Sequence, residues 1–398
     1  MSSPLKAAII MPLGELRGGV ERMLINLLRA NRQGPNVDYA VAFLQDGPLV
    51  ETVRDLGYTT AVFEAGRLRR PDQYLRTVVG LHRWFRTEQP DAVISWAAKG
   101  HLYAGPAAYP LGIPTTWYVH SLPDGHWMDR LVTALPAERV FCCGQSAEQA
   151  QQSIWPQRDT AVVYIAVDLE DFNPALYPSP RQARHELGLP TSGPVVGMVA
   201  RLQRWKGVHV FVDAAQRVLQ THPDAHFFVV GGEHWDEPDY PAELQTQAAA
   251  AGVGDRFLLA GHQTNVPLWM QAADILVHAS FDEPAGAVII EGMSMAKPVV
   301  AARTSGPMEF VHDGENGLLV PPGDDEALAR QINRLLSTPD LRRRLSVAAR
   351  TDAAQFSVDR LARDLAAHIL DLSPWTSASI FSAASADNEQ SISPSPTC

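Results

Sequence analysis

Residues 6–28, KAAIIMPLGELRGGVERMLINLL, contain the stretch that decides the fold. The short apolar run at 5–12 predicts a β-strand, and Gly18-Gly19 then opens a segment with apolar residues at helical spacing. These apolar residues are Val20, Met23, Leu24, Leu27 and Leu28. A strand that leads directly into a helix is the repeating unit of parallel α/β sheets. The stretch therefore predicts the first βα unit of a doubly wound domain.

The same alternation of apolar runs and amphipathic segments continues along the first half of the chain. The pattern predicts further strands near 39–44, 59–63, 91–95, 114–119, 138–142 and 161–165, and helices near 71–87, 99–109 and 145–154. We interpret this half as one complete Rossmann-like domain.

A domain boundary is predicted where the alternation stops, at 168–190. Prolines in this segment are expected to interrupt any regular element, at Pro174, Pro178, Pro180 and Pro190. A second alternation starts at Pro194. It predicts strands at Val195–Val199, His226–Val230, Arg256–Leu259, Ile275–His278, Pro298–Ala301 and Gly317–Val320, and helices near 207–221, 241–251, 265–272, 286–296, 324–337, 339–353 and 357–371.

These patterns divide the chain into four parts. Residues 1–178 and 179–356 are predicted to form two Rossmann-like domains, residues 357–372 a terminal helix, and residues 373–398, rich in Ser, Ala and Pro, a disordered tail. Ligands of open α/β sheets bind at the carboxyl ends of the strands. Binding residues are therefore expected directly after predicted strands.

Composition excludes several functional classes. The 398 residues carry a formal net charge of -11 and no basic stripe, so no nucleic-acid partner is expected. No apolar run reaches the roughly 18 uninterrupted residues of a membrane span. The adjacent Cys142 and Cys143 lack the spacing of a disulfide framework. Because the N-terminus reads as a strand rather than a secretory signal, we expect a cytoplasmic protein.

Four groups after predicted strands could carry chemistry. The first is Gly18-Gly19, at a helix start whose unpaired backbone N–H groups suit phosphate or sugar oxygens. The surrounding sequence is not G-x-G-x-x-G, so a nicotinamide site loses its main support. A turn without a ligand is the alternative.

The second group is Arg201 and Lys206, after the first strand of the second domain. Two cations on one loop can both bind a diphosphate, Arg through a forked pair of hydrogen bonds and Lys as a point charge. A purely solubilising surface role is the alternative.

The third group consists of Glu283 and Glu291. Glu291 lies among Ile289, Ile290 and Met293, where an unpaired carboxylate would be costly. Vicinal ribose hydroxyls would supply two donors to it, as in dinucleotide folds, and Glu283 could accept from sugar hydroxyls. A Glu291 satisfied by an Arg or a backbone N–H is the alternative.

The fourth group is His120, after the predicted strand 115–119. A single histidine is more often structural, but its place at the carboxyl end of a strand favours a function. No H-E-x-x-H motif occurs, and no metal site is expected.

Taken together, these residues resemble a known family. Glu283 and Glu291, with seven residues between them and Gly292–Ala301 behind, resemble the E-x7-E signature of the retaining glycosyltransferases of family 4, which have the GT-B fold. Further matches are Gly18–Glu21, Val167–Phe172, Val199–Arg201, Lys206-Gly207, Gly231-Gly232 and Glu309–Pro322. The resemblance covers about residues 5–372.

The resemblance implies two facing Rossmann-like domains with the donor cleft between them and a C-terminal helix that crosses back to the first domain. Residues 1–178 would be the acceptor side, and 179–356 would bind the nucleotide-sugar. The implied reaction moves a sugar with retention from a UDP- or GDP-linked donor, without cofactor or metal. Arg201 and Lys206 would bind the donor diphosphate, and Glu291 the nucleotide ribose.

The transferred sugar would be bound by Glu283 together with the backbone after Pro284, at Gly286 and Ala287. Gly18-Gly19 would border the phosphate and the acceptor, and His120 would approach the sugar. Cationic side chains can stabilise the negative charge that develops on a departing diphosphate.

Three departures from the family pattern leave the donor sugar open: Ala285, Ser305 and Ala166. Two alternatives to a retaining transferase stay open as well. One is another GT-B activity, an epimerase or an inverting transferase, which needs a positioned general base. The other is a catalytically silent protein that binds sugar nucleotides.

The acceptor could be a glycan, a lipid-linked intermediate or a small molecule, in polysaccharide or glycoconjugate biosynthesis. A basic segment could bring the first domain to the inner face of an anionic membrane. Its residues are Arg67, Arg69 and Arg70, with Arg76, Arg83, Trp84, Phe85 and Arg86 on the adjacent helix. An ordinary amphipathic helix packed on the domain is the alternative.

Overall fold

The computed structural model describes residues 5–16, 18–32, 37–66 and 70–372. Two parallel sheets organise these residues. The first has the strand order β3-β2-β1-β4-β5-β6-β7, with β1 Lys6–Met11, β2 Asp38–Phe43, β3 Thr59–Val62, β4 Ala92–Ser95, β5 Thr115–Val119, β6 Arg139–Cys142 and β7 Thr160–Val162.

The second sheet has the order β10-β9-β8-β11-β12-β13. Its strands are β8 Val195–Val199, β9 His226–Val230, β10 Phe257–Leu259, β11 Ile275–His278, β12 Val299–Ala302 and β13 Leu318–Val320. Every strand pair in both sheets is parallel. The two Rossmann-like domains predicted from the sequence are confirmed.

Helices cover both sheets, as expected for strands that are buried on both faces. They are α1 Gly19–Asn31, α2 Pro48–Asp55, α3 Pro71–Glu88, α4 Ala98–Ala108, α5 Trp127–Ala134, α6 Gln145–Gln152, α7 Pro180–Glu186, α8 Val208–Leu219, α9 Tyr240–Ala250, α10 Val266–Ala272, α11 Ala287–Ser294, α12 Pro307–Phe310, α13 Asp325–Ser337, α14 Pro339–Ala353 and α15 Val358–Leu370.

The expectation that prolines keep 168–190 irregular is wrong, because α7 begins at Pro180. A proline at the first helical position loses no hydrogen bond, since the N–H it lacks has no partner inside the helix. Ser179 precedes it and forms a capping box with Gln182. Helices α2, α5 and α12 were also missed; each is only four to eight residues long.

The terminal helix α15 crosses back to the first sheet, where it packs against α1. Two chain segments meet at this crossing, because Val167 forms an isolated parallel bridge with Ser357. The predicted crossing helix is confirmed. The predicted disordered tail, 373–398, lies outside the described residues.

The apolar core is divided unevenly between the two sheets. One cluster fills the first domain and continues through Phe228, α10, α11 and α15, while a second lies between the other face of the second sheet and helices α8, α9 and α13. The larger cluster therefore joins the two domains. Among the described residues, none of the helices has the length and apolar character that crossing a membrane requires.

The burial of the α3 side chains bears on the prediction that this segment contacts a membrane. Phe85 is fully buried and Trp84 packs on Phe63, at 6.2 Å between ring centroids, so the idea that Phe85 could face a membrane is wrong. Arg83 and Arg86 are exposed. Arg67 and Arg69 lie outside the described residues.

Candidate active site

Glu283 and Lys206 lie close together, although 77 positions separate them. Lys206 is on the loop after β8 and Glu283 on the loop after β11, and these two strands are neighbours in the second sheet. The Lys206 Nζ donates to Glu283 Oε2 at 2.5 Å. The sequence predicts both residues in the site but gives no sign that they pair.

A glycine makes this approach possible. Gly207 has φ +73°, which disfavours any other residue, and a Cβ there would lie 2.0 Å from the carbonyl oxygen of Ala279. The loop after β8 therefore touches the backbone that leads from β11 to Glu283.

Two further polar groups hold the Glu283 carboxylate. Its Oε2 lies 3.2 Å from His278 Nε2 and 3.4 Å from Ser280 Oγ. Burial acts to raise the pKa of Glu283, but the hydrogen bond from His278 and the charge of Lys206 outweigh burial and bring the pKa to about 2. Burial lowers the pKa of Lys206, and the Glu283 charge opposes this shift. Glu283 is therefore held as a carboxylate.

Arg201 and Arg204 differ in their surroundings. The Arg204 guanidinium forms ion pairs with Glu237 and Glu243, at 3.6 and 2.7 Å. Arg201 is exposed, and within the described ranges its side chain forms no ion pair. Its charge is close enough to contribute to the lowered pKa of Lys206. Arg201 and Lys206 thus lie together, with the Arg201 guanidinium available to an anion.

Glu291 lies inside α11, which begins after Gly286 at φ +82°. Burial raises the pKa of Glu291 to about 7, and the Arg22 charge partly offsets this shift. No side chain in the described part of the protein donates a hydrogen bond to its carboxylate. Arg22 belongs to α1 of the first domain, so the charge that acts on Glu291 comes from the other domain.

The start of α1 is open. Among the described residues, a Cβ on Gly19 would meet no atom within 4 Å, and one on Gly18 would approach Glu21 at 3.6 Å. The N-cap Gly18 has an extended backbone that other residues also adopt, and no side chain caps the helix. Among the described residues no side chain therefore caps the N–H groups of this first turn, which an anion or a hydroxyl could bind.

His120 follows β5 at the carboxyl end of the first sheet. Its ring lies 4.2 Å from Tyr118 and 5.9 Å from Trp96, measured between centroids. Burial lowers its pKa to about 3, against a hydrogen bond with the Trp96 backbone, and Nε2 is buried without a partner in the described residues. The imidazole is therefore neutral, and Nε2 is left with unused hydrogen-bonding capacity among the described residues.

Three residues of this region were missed from the sequence, and a fourth, Glu309, was matched to the family without a role. The Arg22 charge acts on Glu291, His278 and Ser280 hold Glu283, and Glu309 contacts the first domain. His278 ends a predicted strand, which was a usable signal. The partner of Glu309 is on another domain, and no local pattern indicates it.

A cavity and the arrangement of possible metal ligands bear on other kinds of binding. A cavity of about 550 Å³ is lined by residues that include Trp205, His209, Tyr240 and Phe281. None of the predicted site residues lines it. In the described ranges, no three His, Cys, Asp or Glu side chains come together as a metal-binding group.

Known families match adjoining parts of the chain. A model described as Glycosyltransferase Family 4 matches residues 17–171, and one described as Glycosyl transferases group 1 matches residues 180–352. The first match lies on the first sheet, and the second match includes the second sheet. Together they account for most of the chain.

Individual relatives agree with these models. A D-inositol 3-phosphate glycosyltransferase of Corynebacterium urealyticum is 34% identical over 209 residues, which is 52% of this chain and 49% of the relative. A lipopolysaccharide core biosynthesis glycosyltransferase of Rhizobium meliloti is 36% identical over 164 residues, 41% of this chain and 45% of the relative. The chain spans about half the length of the curated relatives it matches.

One similar structure extends over nearly the whole molecule. Anabaena Alr3699/HepE, solved with UDP and glucose, has a TM-score of 0.80 and 26% identity, and the likeness covers 92% of this chain and 100% of that chain. The same Anabaena protein has also been solved with UDP-glucose.

Proposed function

The chain belongs to glycosyltransferase family 4, and from this membership we propose that it transfers a sugar from a nucleotide-diphosphate sugar to an acceptor, with retention of anomeric configuration. One observation carries the proposal. Glu283 precedes α11 and Glu291 lies within it, after the carboxyl end of β11, and the charge of Arg22 of the first domain acts on Glu291. The cleft therefore has carboxylates for the hydroxyl groups of a donor and, at Arg201 and Lys206, cations for its phosphates.

Each charged side chain of the proposed donor site binds one part of the donor. Arg201 and Lys206 bind the diphosphate and stabilise the charge that develops as it departs, so no metal is required for that task. Glu291 accepts from the two ribose hydroxyls. When the donor binds, the Lys206 ammonium would move from the Glu283 carboxylate to a phosphate oxygen. His278 and Ser280 would still hold the Glu283 carboxylate in place.

The transferred sugar would lie between the two domains. Glu283 accepts from its hydroxyls, the backbone at Gly286 and Ala287 contacts it, and the neutral Nε2 of His120 accepts from a further hydroxyl. Gly18-Gly19 borders the phosphate and the acceptor. The departing diphosphate would take the acceptor proton on the same face of the sugar, which gives retention.

UDP-glucose is the first donor to test, since a protein 26% identical to this chain is known in complex with it. Thermal stabilisation by UDP-glucose, GDP-mannose and ADP-glucose would rank the donors, because a donor at 100 times its Kd stabilises by about 2.7 kcal/mol. A donor that raises Tm is then incubated with D-inositol 3-phosphate or lipid-linked and glycan acceptors. An α-linked product from an α-linked donor, identified by NMR, supports the proposal, and an inverted product contradicts retention.

We also propose a cytoplasmic enzyme that contacts anionic membranes through α3. Arg76, Arg83 and Arg86 are exposed on the outer face of this helix, beside Leu75, which is 61% exposed. Cations beside an exposed aliphatic side chain suit an anionic lipid surface. The test is cosedimentation with vesicles of phosphatidylglycerol, and with vesicles of phosphatidylcholine.

The variant Arg83→Glu/Arg86→Glu should lose most of the sedimentation with phosphatidylglycerol. Arg343→Glu, on an exposed arginine of α14, is the matched control. Equal sedimentation of both variants, or equal binding to both vesicles, would contradict membrane contact through α3.

A further inference from the structure

Glu309 makes a hydrogen-bonded contact between the two domains. Its Oε2 accepts from the backbone N–H of Gln145 at 2.7 Å, and its Oε1 from the N–H of Ser146 at 2.9 Å. Glu309 lies in α12 of the second domain, whereas Gln145 and Ser146 are the first two residues of α6 in the first domain. A carboxylate that accepts two N–H groups at a helix N-terminus is stabilised by charge-assisted hydrogen bonds and by the helix dipole.

Helix α6 has no cap of its own. Its N-cap residue is Gly144, which has no side-chain oxygen, and no side chain of the neighbouring sequence caps the helix. The acceptor is supplied instead by a residue 164 positions away from Gln145. The Gly144 backbone is extended, a conformation open to any residue. A glycine suits this position for a different reason, because a Cβ here would lie 2.8 Å from both carboxylate oxygens of Glu309.

The same contact reaches the backbone of the proposed sugar site. The N–H of Gly306, three residues before Glu309, donates to the carbonyl oxygen of Glu283 at 2.8 Å. A Cβ on Gly306 would lie 2.6 Å from the Ala285 nitrogen. From the first domain, the Cys143 thiol lies 3.9 Å from the carbonyl oxygen of Pro284. The loop at 283–285 is thus enclosed between the start of α6 and the segment that carries Glu309.

The residue after Glu309 packs where the chain crosses between domains. Phe310 contacts Tyr164 of the first domain and Phe356, at centroid distances of 5.9 and 4.9 Å. Phe356 precedes Ser357, which bridges to Val167. The carboxylate contact therefore lies beside this crossing and can set the angle between the domains.

We propose that Glu309 is a positioning residue that fixes the closed arrangement of the two domains and, through Gly306, the backbone of Glu283. The proposal rests on the proposed transferase function for its kinetic consequence only. The contact between Glu309 and α6 fixes the position of the first domain, which carries α1, relative to the second domain, which carries α11. Its loss would leave each half of the donor site intact but misplaced relative to the other.

The first test is the variant Glu309→Ala, with Glu315→Ala as the matched control on an exposed glutamate nearby. Small-angle X-ray scattering should show a larger radius of gyration for Glu309→Ala than for the wild type, and no increase for Glu315→Ala. With UDP-glucose as the probe donor, kcat should fall about tenfold to a hundredfold because the reacting groups are misplaced. The donor KM should change less, since Arg201, Lys206 and Glu291, which are proposed to bind the diphosphate and the ribose, all belong to the second domain. Glu309→Gln, which keeps one acceptor oxygen, should recover part of kcat.

The second test disrupts the contact from the other domain. Gly144→Ala should reproduce the larger radius of gyration, because the added Cβ displaces the Glu309 carboxylate. In the Glu309→Ala background the same change should add nothing, since the colliding oxygens are gone. A simple structural defect at either site would instead give additive effects on scattering and Tm.

Two results would overturn the proposal. One is an unchanged radius of gyration for Glu309→Ala together with kcat within twofold of the wild type. The other is full additivity of Gly144→Ala and Glu309→Ala. If the wild type transfers no sugar from any donor, the proposed function fails, but scattering and the double-variant cycle still decide the role of Glu309.

Discussion

Glu283 and Glu291 show how two carboxylates of one short segment acquire opposite properties. His278 and Lys206 surround Glu283 and lower its pKa to about 2, although burial acts in the other direction. Burial raises the pKa of Glu291 to about 7, and among the described residues the Arg22 charge partly offsets this shift. One carboxylate is therefore satisfied within the protein, whereas the other accepts no side-chain hydrogen bond in the described part of the chain, so a ligand can supply the donors.

This difference predicts a pH-dependent effect of Glu291→Gln on stability. A carboxyl group whose pKa is raised by folding stabilises the folded state fully below its unfolded pKa, and this contribution is lost as the pH rises through about 7. Glu291 thus disfavours folding at pH 8. We expect Glu291→Gln to have a higher Tm than the wild type at pH 8, measured by calorimetry without ligand.

At about pH 4 the two proteins should have equal Tm, because the carboxyl group is then neutral in both states. A Tm gain of the same size at both pH values would contradict the assignment.

The affinity of the wild type for the donor should depend on pH in the opposite direction to its stability. It should weaken in the wild type as the pH falls below 7, and be weak and independent of pH near 7 in Glu291→Gln.

Lys206→Met tests the ion pair with Glu283. Removal of one member of a buried pair leaves the other uncompensated, so the free energy of unfolding should fall by up to about 3 kcal/mol. The pKa of Glu283 should rise, and transfer should be lost. The double variant Lys206→Met/Glu283→Gln should recover stability but no transfer. If Lys206→Met kept wild-type kcat and KM for the donor, the phosphate role of Lys206 would be wrong.

At the scale of elements, helix α11 ends in a strained residue. Ala296 has φ +54° just beyond the C-cap Met295, where helices prefer glycine. A left-handed residue with a Cβ costs about 1–2 kcal/mol. Ala296→Gly should therefore raise the free energy of unfolding by about 1 kcal/mol, measured by urea denaturation.

Ala296→Ser is the matched control, since it retains the Cβ and hence the strain. A gain from Ser equal to that from Gly would show that the conformation of residue 296 is not its source. Because the change lies after the helix rather than on its cleft side, transfer should continue in Ala296→Gly.

At the scale of the whole molecule, the larger apolar cluster is continuous between the domains. It runs from the first sheet through α10 and α11 to α15. Domains that share a core lose stability together, so we expect a single calorimetric transition whose calorimetric and van't Hoff enthalpies agree. Two separated transitions, with donor shifting only one, would show that the domains unfold independently.

The sequence by itself determined the elements and the family. The alternation of apolar runs with helical spacing is local, so it predicted both sheets and the terminal helix, while the family resemblance implied that this helix crosses back to the first domain. The spacing of Glu283 and Glu291, with Arg201, Lys206 and Gly18-Gly19 after strands, was sufficient to recognise family 4. The helix α7 was missed because proline was read only as a breaker, although Pro180 at the first helical position costs no hydrogen bond.

Only the tertiary structure decided which side chains contact one another in the site. Lys206 meets Glu283 because β8 lies beside β11, and strand order is not encoded in the spacing of residues along the chain. Glu291 faces Arg22, and Glu309 caps α6, because the crossing helix brings two separately patterned domains into contact. Local periodicity sets which residues form a strand or a helix, whereas the charge state of a buried carboxylate depends on neighbours that only the folded chain supplies.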